Sequence, residues 1–147
     1  MIRFFGGRVM TLANGIETQD IEVWTEGSKI VFVGKPKAEE LDGKVFEREY
    51  DLKGNLLMPS FKNAHTHSAM TFLRSYADDM PLQDWLFKQI FPMEAKLDGE
   101  KVYWLTKLAI LEYLTTGCTA AFDMYFELDD YVKACTESGF RSVLCGA

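Results

Sequence analysis

The spacing of apolar residues changes near residue 55, and the change divides the chain into two kinds of structure. Before it, short apolar runs alternate with turn signals. Positions 2–5, 8–12, 21–25, 29–33 and 45–50 read as strands. Asn14-Gly15 and Glu26-Gly27-Ser28 supply turns, and Gly34-Lys35-Pro36 ends a strand. Within 21–25, Ile21, Val23 and Thr25 alternate with Glu22, Trp24 and Glu26, the pattern of an antiparallel strand with one buried face. This half, residues 1–55, is β-rich and too small to bury a good core alone.

After residue 55 the pattern becomes strand, helix, strand, helix, strand. Residues 56–65 form the first apolar run, and 81–97 hold a helical stretch broken or kinked at Pro92. The longer helix at 99–116 is expected to bury Val102, Leu105, Leu108, Ala109, Leu111 and Leu114, and Gly117 ends it. A strand at 118–123, a helix at 128–138 ended by Gly139, and a strand at 140–146 complete the pattern. Strands alternating with helices imply parallel pairing through crossovers, so residues 56–147 read as α/β. Three such strands neither close a barrel nor complete a doubly wound sheet. The expectation is therefore the N-terminal part of something larger. The chain has no internal repeat and no low-complexity segment.

Composition narrows the class. The chain has 147 residues, 48% apolar and 26% charged, as soluble globular proteins do. A net charge of -6 argues against a nucleic-acid partner, whose binders carry a basic footprint. No apolar stretch approaches the roughly 20 residues of a membrane span. The start, Met1-Ile2-Arg3-Phe4-Phe5-Gly6-Gly7, does not read as a signal peptide. Cys118, Cys135 and Cys145 are odd in number and lack Cys-x-x-Cys spacing, so they read as reduced, mostly buried thiols of a cytoplasmic protein. Cys145, at the end of the third strand, is expected in the core.

The two histidines of the chain are His65 and His67, at the end of the first run of the α/β half. Side chains two apart on a strand share a face, so both imidazoles should project together. That is half of a metal site; the alternative is two unrelated polar residues at a strand end. By the same alternation Lys62 points away from the histidines, where it must snorkel or find a partner.

The neighbouring residues resemble a known family. Asp51-x-x-Gly54-x-x-x-x-Pro59-x-x-x-Asn63-x-His65-x-His67 is similar to the entry of the metal-dependent amidohydrolase superfamily. Asn63-Ala64-His65-Thr66-His67-Ser68-x-Met70-Thr71-x-Leu73-Arg74-x-x-Ala77-Asp78-Asp79 resembles more closely the methylthioadenosine/S-adenosylhomocysteine deaminases and related chlorohydrolases. Pro81-Leu82-Gln83-Asp84-Trp85-Leu86, Phe91-Pro92-Met93-Glu94 and Thr119-Ala120-Ala121-Phe122-Asp123-Met124-Tyr125-Phe126 continue the likeness. The chain departs from the family at Ser60, where glycine is usual, and at Lys62, where an apolar residue is usual.

The resemblance implies a fold and a chemistry. An N-terminal β-sandwich segment, residues 1–55, would precede the first three strand-helix units of an incomplete (β/α)8 TIM-like barrel, residues 56–147. A full barrel needs roughly 250 residues. His65 and His67 would bind zinc or another divalent transition metal, and later strands would add two histidines, an aspartate and the general acid and base. No catalytic residue is therefore assigned within this chain. The implied activity is deamination of an adenine nucleoside by a metal-activated water. Glu94 would contact the ribose diol; the alternative is a solvated helix-end carboxylate. Trp85 would line the substrate pocket; the alternative is helix core beside Leu82, Leu86 and Ile90. Asp123 could orient groups in the site, or serve as a helix cap or satisfied polar residue. Asp78-Asp79 reads as structural.

The implied partner is a small molecule, a purine nucleoside, with no nucleic acid or membrane; a homo-oligomer stays open. Competing readings are another purine or a chlorinated triazine as substrate, or a non-catalytic truncated fragment. The chain alone is expected to show no turnover and to expose apolar surface.

Overall fold

The computed structural model describes residues 1–13 and 15–146. Asn14 of the expected Asn14-Gly15 turn lies outside the described residues, as does Ala147. The chain divides into two compact units, Met1–Pro59 and Ser60–Ala147.

The first unit contains β1 (Ile2–Phe5), β2 (Arg8–Thr11), β3 (Glu17–Gln19), β4 (Glu22–Glu26), β5 (Lys29–Gly34), α1 (Ala38–Leu41), β6 (Arg48–Asp51) and β7 (Leu56–Leu57). One sheet has the order β5-β4-β1-β6 and the other β3-β2-β7. Gly27, at φ +55°, turns β4 back into β5, a conformation that glycine adopts without strain.

Three expectations need correction in this unit. The alternation puts Trp24 on the open face of its strand, yet it is 3% exposed. Phe32 stacks on it at 4.2 Å and Phe46 meets it edge-on at 5.1 Å, so β4 is covered on both faces. Its indole N–H donates to Glu22 at 2.9 Å. The strand expected at 45–50 lies at Arg48–Asp51, because β6 pairs in parallel with β1 from Ile2↔Arg48 onward and leaves Val45 exposed. The run at 56–65 is two strands. Leu56–Leu57 pairs with β2, and the next strand begins only at Phe61, beyond a proline that has no N–H for a ladder.

Arg3 ties the larger sheet together. Its Nε and Nη2 each donate to Glu22 at 2.7 Å, and Nη1 donates to Glu49 at 2.8 Å.

The second unit is α/β. It contains β8 (Phe61–Thr66), a 3-10 turn (Ser68–Leu73), α2 (Leu82–Asp84), a π-helical turn (Trp85–Ile90), α3 (Phe91–Glu94), α4 (Gly99–Thr115), β9 (Cys118–Tyr125), α5 (Leu128–Ser138) and β10 (Arg141–Gly146). The three strands pair in parallel in the order β10-β9-β8. Val102, Ile110, Ala121, Tyr125, Tyr131 and Phe140 share the core. Asp98 caps α4, accepting from the Lys101 N–H at 3.0 Å. Gly139 ends α5 at φ +65°.

The helical stretch is interrupted next to Pro92, as expected, but does not end there. Pro92 sits in the first turn of α3, where no N–H is required. The preceding turn widens to a π geometry, with the Phe91 N–H donating to the Leu86 carbonyl.

The buried face of α4 also differs from expectation. Val102, Thr106, Ala109 and Ile110 are buried, whereas Leu108, Leu111 and Leu114 are exposed. Residues 102, 106, 109 and 110 follow the i, i+4, i+7, i+8 stripe. Leu108 and Leu111 lie with exposed Trp104 on a second stripe.

Phe61, Phe122 and Val143 are exposed on the strands. Cys145, expected in the core, is exposed as well. On β10 only Ser142 and Leu144 are half-buried, and Cys145 falls on the other face with Arg141 and Val143. No helix among the described residues is long and apolar enough to cross a membrane.

Candidate functional site

The imidazoles of His65 and His67 converge at the end of β8. Their ring centroids are 5.1 Å apart and their planes differ by 77°. Both line a cavity of about 530 Å³. Trp85 and Glu94 line the same cavity, so all four residues singled out in the sequence meet in one place.

The state of one ring follows from its neighbour. His67 Nδ1 lies 2.8 Å from the carbonyl oxygen of Met124. A carbonyl only accepts, so Nδ1–H donates, and Nε2 is the ring nitrogen left for another partner. A backbone carbonyl holding the far nitrogen is the usual way a protein orients a metal-binding histidine. His65 is exposed, and its backbone N–H donates to Asn63 Oδ1 at 3.2 Å.

Glu94 ends α3 and is half-buried. Tyr125 donates its hydroxyl to Glu94 Oε1 at 2.9 Å, which fixes one carboxylate oxygen of a residue that lines the cavity. Burial pushes the Tyr125 phenol well above its ordinary range, and the Glu94 bond and charge push the same way. Glu94 is thus not a freely solvated helix-end group.

Trp85 opens the π-helical turn and is half-buried. The alternative of a packed helix core holds only for Ile90; Leu82 is exposed. The wider turn sets Trp85, Leu86 and Ile90 along one wall of the cavity.

Asp123 is 0% exposed, and it satisfies the first N–H of the 3-10 turn, as the helix-cap or satisfied-polar reading expects. Its carboxylate accepts from the Ser68 N–H at 3.1 Å and from the Ser68 hydroxyl. The same hydroxyl lies 3.0 Å from that of Tyr113, which in turn lies 2.5 Å from Thr66 Oγ1. Burial raises the Tyr113 phenol, with the Ser68 and Thr66 bonds opposing. Lys62 finds partners too, donating to Ser60 Oγ at 2.7 Å and Thr119 Oγ1 at 2.8 Å. Asp78 and Asp79 are exposed and line no part of the cavity.

The sequence reading missed Met124, Tyr125 and Phe126 as cavity residues. It ended the strand at Asp123, although the apolar run continues to Phe126 and the ladder extends to Tyr125.

Two imidazoles lining an open cavity suit a borderline-soft divalent ion. Among the described residues no group of three or more His, Cys, Asp or Glu is arranged to hold one. The two rings are compatible with such an ion but make only a partial donor set.

Comparison with known proteins now defines the class. The amidohydrolase family matches residues 56–147, and the chain belongs to that family. It is 44% identical over 123 residues to a 5-methylthioadenosine/S-adenosylhomocysteine deaminase of Desulfitobacterium hafniense, an alignment covering 84% of this chain and 28% of that relative. It is 53% identical over 95 residues to a 5'-deoxyadenosine deaminase of Methanoregula boonei, covering 65% of this chain and 22% of the relative. Among solved structures, an adenosine deaminase from Xanthomonas campestris with bound zinc superposes with a TM-score of 0.88 at 33% identity, over 97% of this chain and 33% of the other. The chain thus spans between a fifth and a third of the length of these relatives.

Proposed function

We propose that this chain is the N-terminal portion of a metal-dependent aminohydrolase acting on adenine nucleosides of the methylthioadenosine and S-adenosylhomocysteine type. In this reading residues 1–55 form part of a β-sandwich, and residues 56–147 form the first strand-helix units of a (β/α)8 barrel. The observation that carries it is the meeting of His65, His67, Trp85 and Glu94 around one cavity. The deaminase names of relatives at 44% and 53% identity support the substrate class.

His65 and His67 would hold a zinc-type ion through their ring nitrogens, His67 with Nε2 because its Nδ1 is bound to the Met124 carbonyl. When bound, such an ion would acidify water and act as a Lewis acid. Trp85 provides an apolar wall that excludes water from one side of the base. Glu94 accepts hydrogen bonds from the sugar diol, its second oxygen being held by Tyr125. The remaining metal ligands and the general acid and base belong to residues outside this chain, so the chain alone turns over no substrate. Glu94 favours a nucleoside over a free base or a triazine, because only the nucleoside carries vicinal hydroxyls for a carboxylate.

The test is binding of 5'-methylthioadenosine and of adenine to the zinc-loaded chain, read by ligand-observed NMR. Glu94→Gln is expected to weaken the nucleoside about tenfold, one lost charge-assisted hydrogen bond's worth, and to leave adenine unchanged. Equal affinities of both ligands for both proteins would refute the nucleoside assignment.

A further inference from the structure

The ladder between β8 and β9 ends at Thr66↔Asp123, one residue short of His67. Beyond that point two reciprocal bonds join the segments. The His67 ring donates to the main chain of Met124, and the main-chain N–H of Ser68 donates to the side chain of Asp123. His67 therefore stands where backbone pairing no longer fixes the chain and side chains do.

Asp123 holds both neighbours of His67. The Ser68 hydroxyl donates to Asp123 Oδ2. That leaves Ser68 Oγ to accept from the Tyr113 hydroxyl, and Tyr113 to accept from Thr66. The donor direction runs Thr66 to Tyr113 to Ser68 to Asp123. Ser68 is held directly and Thr66 through Tyr113. Among the described residues no ion pair includes Asp123. A buried carboxylate without a cation is costly to keep, and its acceptor-only character is what an amide or an aliphatic side chain would lack.

We infer that Asp123 is a positioning residue for the metal site: by setting the direction of the hydroxyl chain on both sides of His67, it locks that ring with Nδ1 on the Met124 carbonyl and Nε2 toward the cavity. The inference rests on the metal reading for its consequence but not for its geometry, and the experiment separates the two.

The 147-residue chain, labelled with ¹⁵N, is examined by long-range ¹H–¹⁵N correlation of the imidazoles and by zinc titration. Wild type is expected to show His67 as the Nδ1–H tautomer. Asp123→Asn keeps the shape but adds an N–H₂ donor where only an acceptor is allowed. It is expected to mix the His67 tautomers and to weaken zinc about tenfold or more, the usual effect of losing an orienting partner. Folding of each variant is checked by circular dichroism. If Asp123→Asn fails to fold, Tyr113→Phe carries the test: it cuts the Thr66 arm without touching the carboxylate, and the His67 ring signals are expected to move while those of His65 stay. A folded Asp123→Asn with the wild-type His67 tautomer and zinc affinity within twofold overturns the inference, as does Tyr113→Phe with unmoved His67 signals where it stands in. A wild-type chain that takes up no zinc defeats the metal reading, while the tautomer still decides the role of Asp123.

Discussion

Replacing Tyr125 with phenylalanine removes one oxygen from a side chain that is 3% exposed. The ring stays stacked on Phe126, 4.3 Å away and 19° from parallel, so packing is preserved. What is lost is the donor to Glu94 Oε1 at 2.9 Å. A hydrogen bond to a charged acceptor contributes about 1.5–3 kcal/mol when both groups are buried. Glu94 is only half-buried, and water replaces part of the bond, which lowers the expected loss to about 1–2 kcal/mol. The assay is urea unfolding at pH 7 of wild type, Tyr125→Phe, Glu94→Gln and the double variant. The double-mutant cycle should return a coupling of about 1 kcal/mol. Alkaline pH gives an independent check. Burial, aided by Glu94, raises the folded phenol above its unfolded value of about 10. The unfolded chain then releases this proton first. The stability held by the neutral phenol is complete below about pH 10 and is lost as the pH climbs toward the folded value, by up to about 1.4 kcal/mol per pH unit. Tyr125→Phe should flatten that limb by one proton. A coupling below about 0.3 kcal/mol with superimposable alkaline limbs would refute the pairing.

Two further outcomes are expected. Thr106 is 0% exposed and its Oγ1 has no hydrogen-bond partner among the described residues, so Thr106→Val should raise urea-unfolding stability by about 1 kcal/mol; a loss of stability would mean the hydroxyl has a partner. The Arg3 bond, opposed by desolvation and aided by Trp24, lowers the Glu22 carboxyl below its ordinary value, so its contribution is full above about pH 4.3 and lost as the pH falls through the lowered folded value. Glu22→Gln should cost about 2 kcal/mol at pH 7 and shrink the acid-side loss, and unchanged acid unfolding curves would contradict this.

Much of the second unit could be read from the sequence because its signals are local. Apolar runs bounded by Gly117 and Gly139 mark helix ends, and the His-x-His spacing brings the two rings together, although His67 lies one residue past the ladder and is held there by Met124. The family likeness brought in Trp85 and Glu94, which periodicity alone would have left as helix positions. Less legible were features set by distant partners. Trp24 breaks the in-and-out alternation of its strand, being buried beside buried Val23, because its ladder partner Phe32 stacks on it and Phe46 meets it edge-on. Leu108 and Leu111 look like core, but Thr106 and Ile110 lie on the packed stripe. Asp123 read as a cap or a satisfied polar group, and only the fold brings Ser68 to it across 55 positions. The π-helical turn before Pro92 leaves no composition signal of its own; it is how the helix absorbs a residue that cannot donate.

The measurement that bears most directly on the account is X-ray absorption at the zinc edge of the chain loaded with one equivalent of zinc. Two imidazole nitrogens at about 2.0–2.1 Å are expected, with their outer-ring scattering, and both are expected to vanish in the His65→Ala, His67→Ala double variant. A wild-type spectrum without imidazole scattering, or one that the double substitution leaves unchanged, would contradict a shared cation between the two rings.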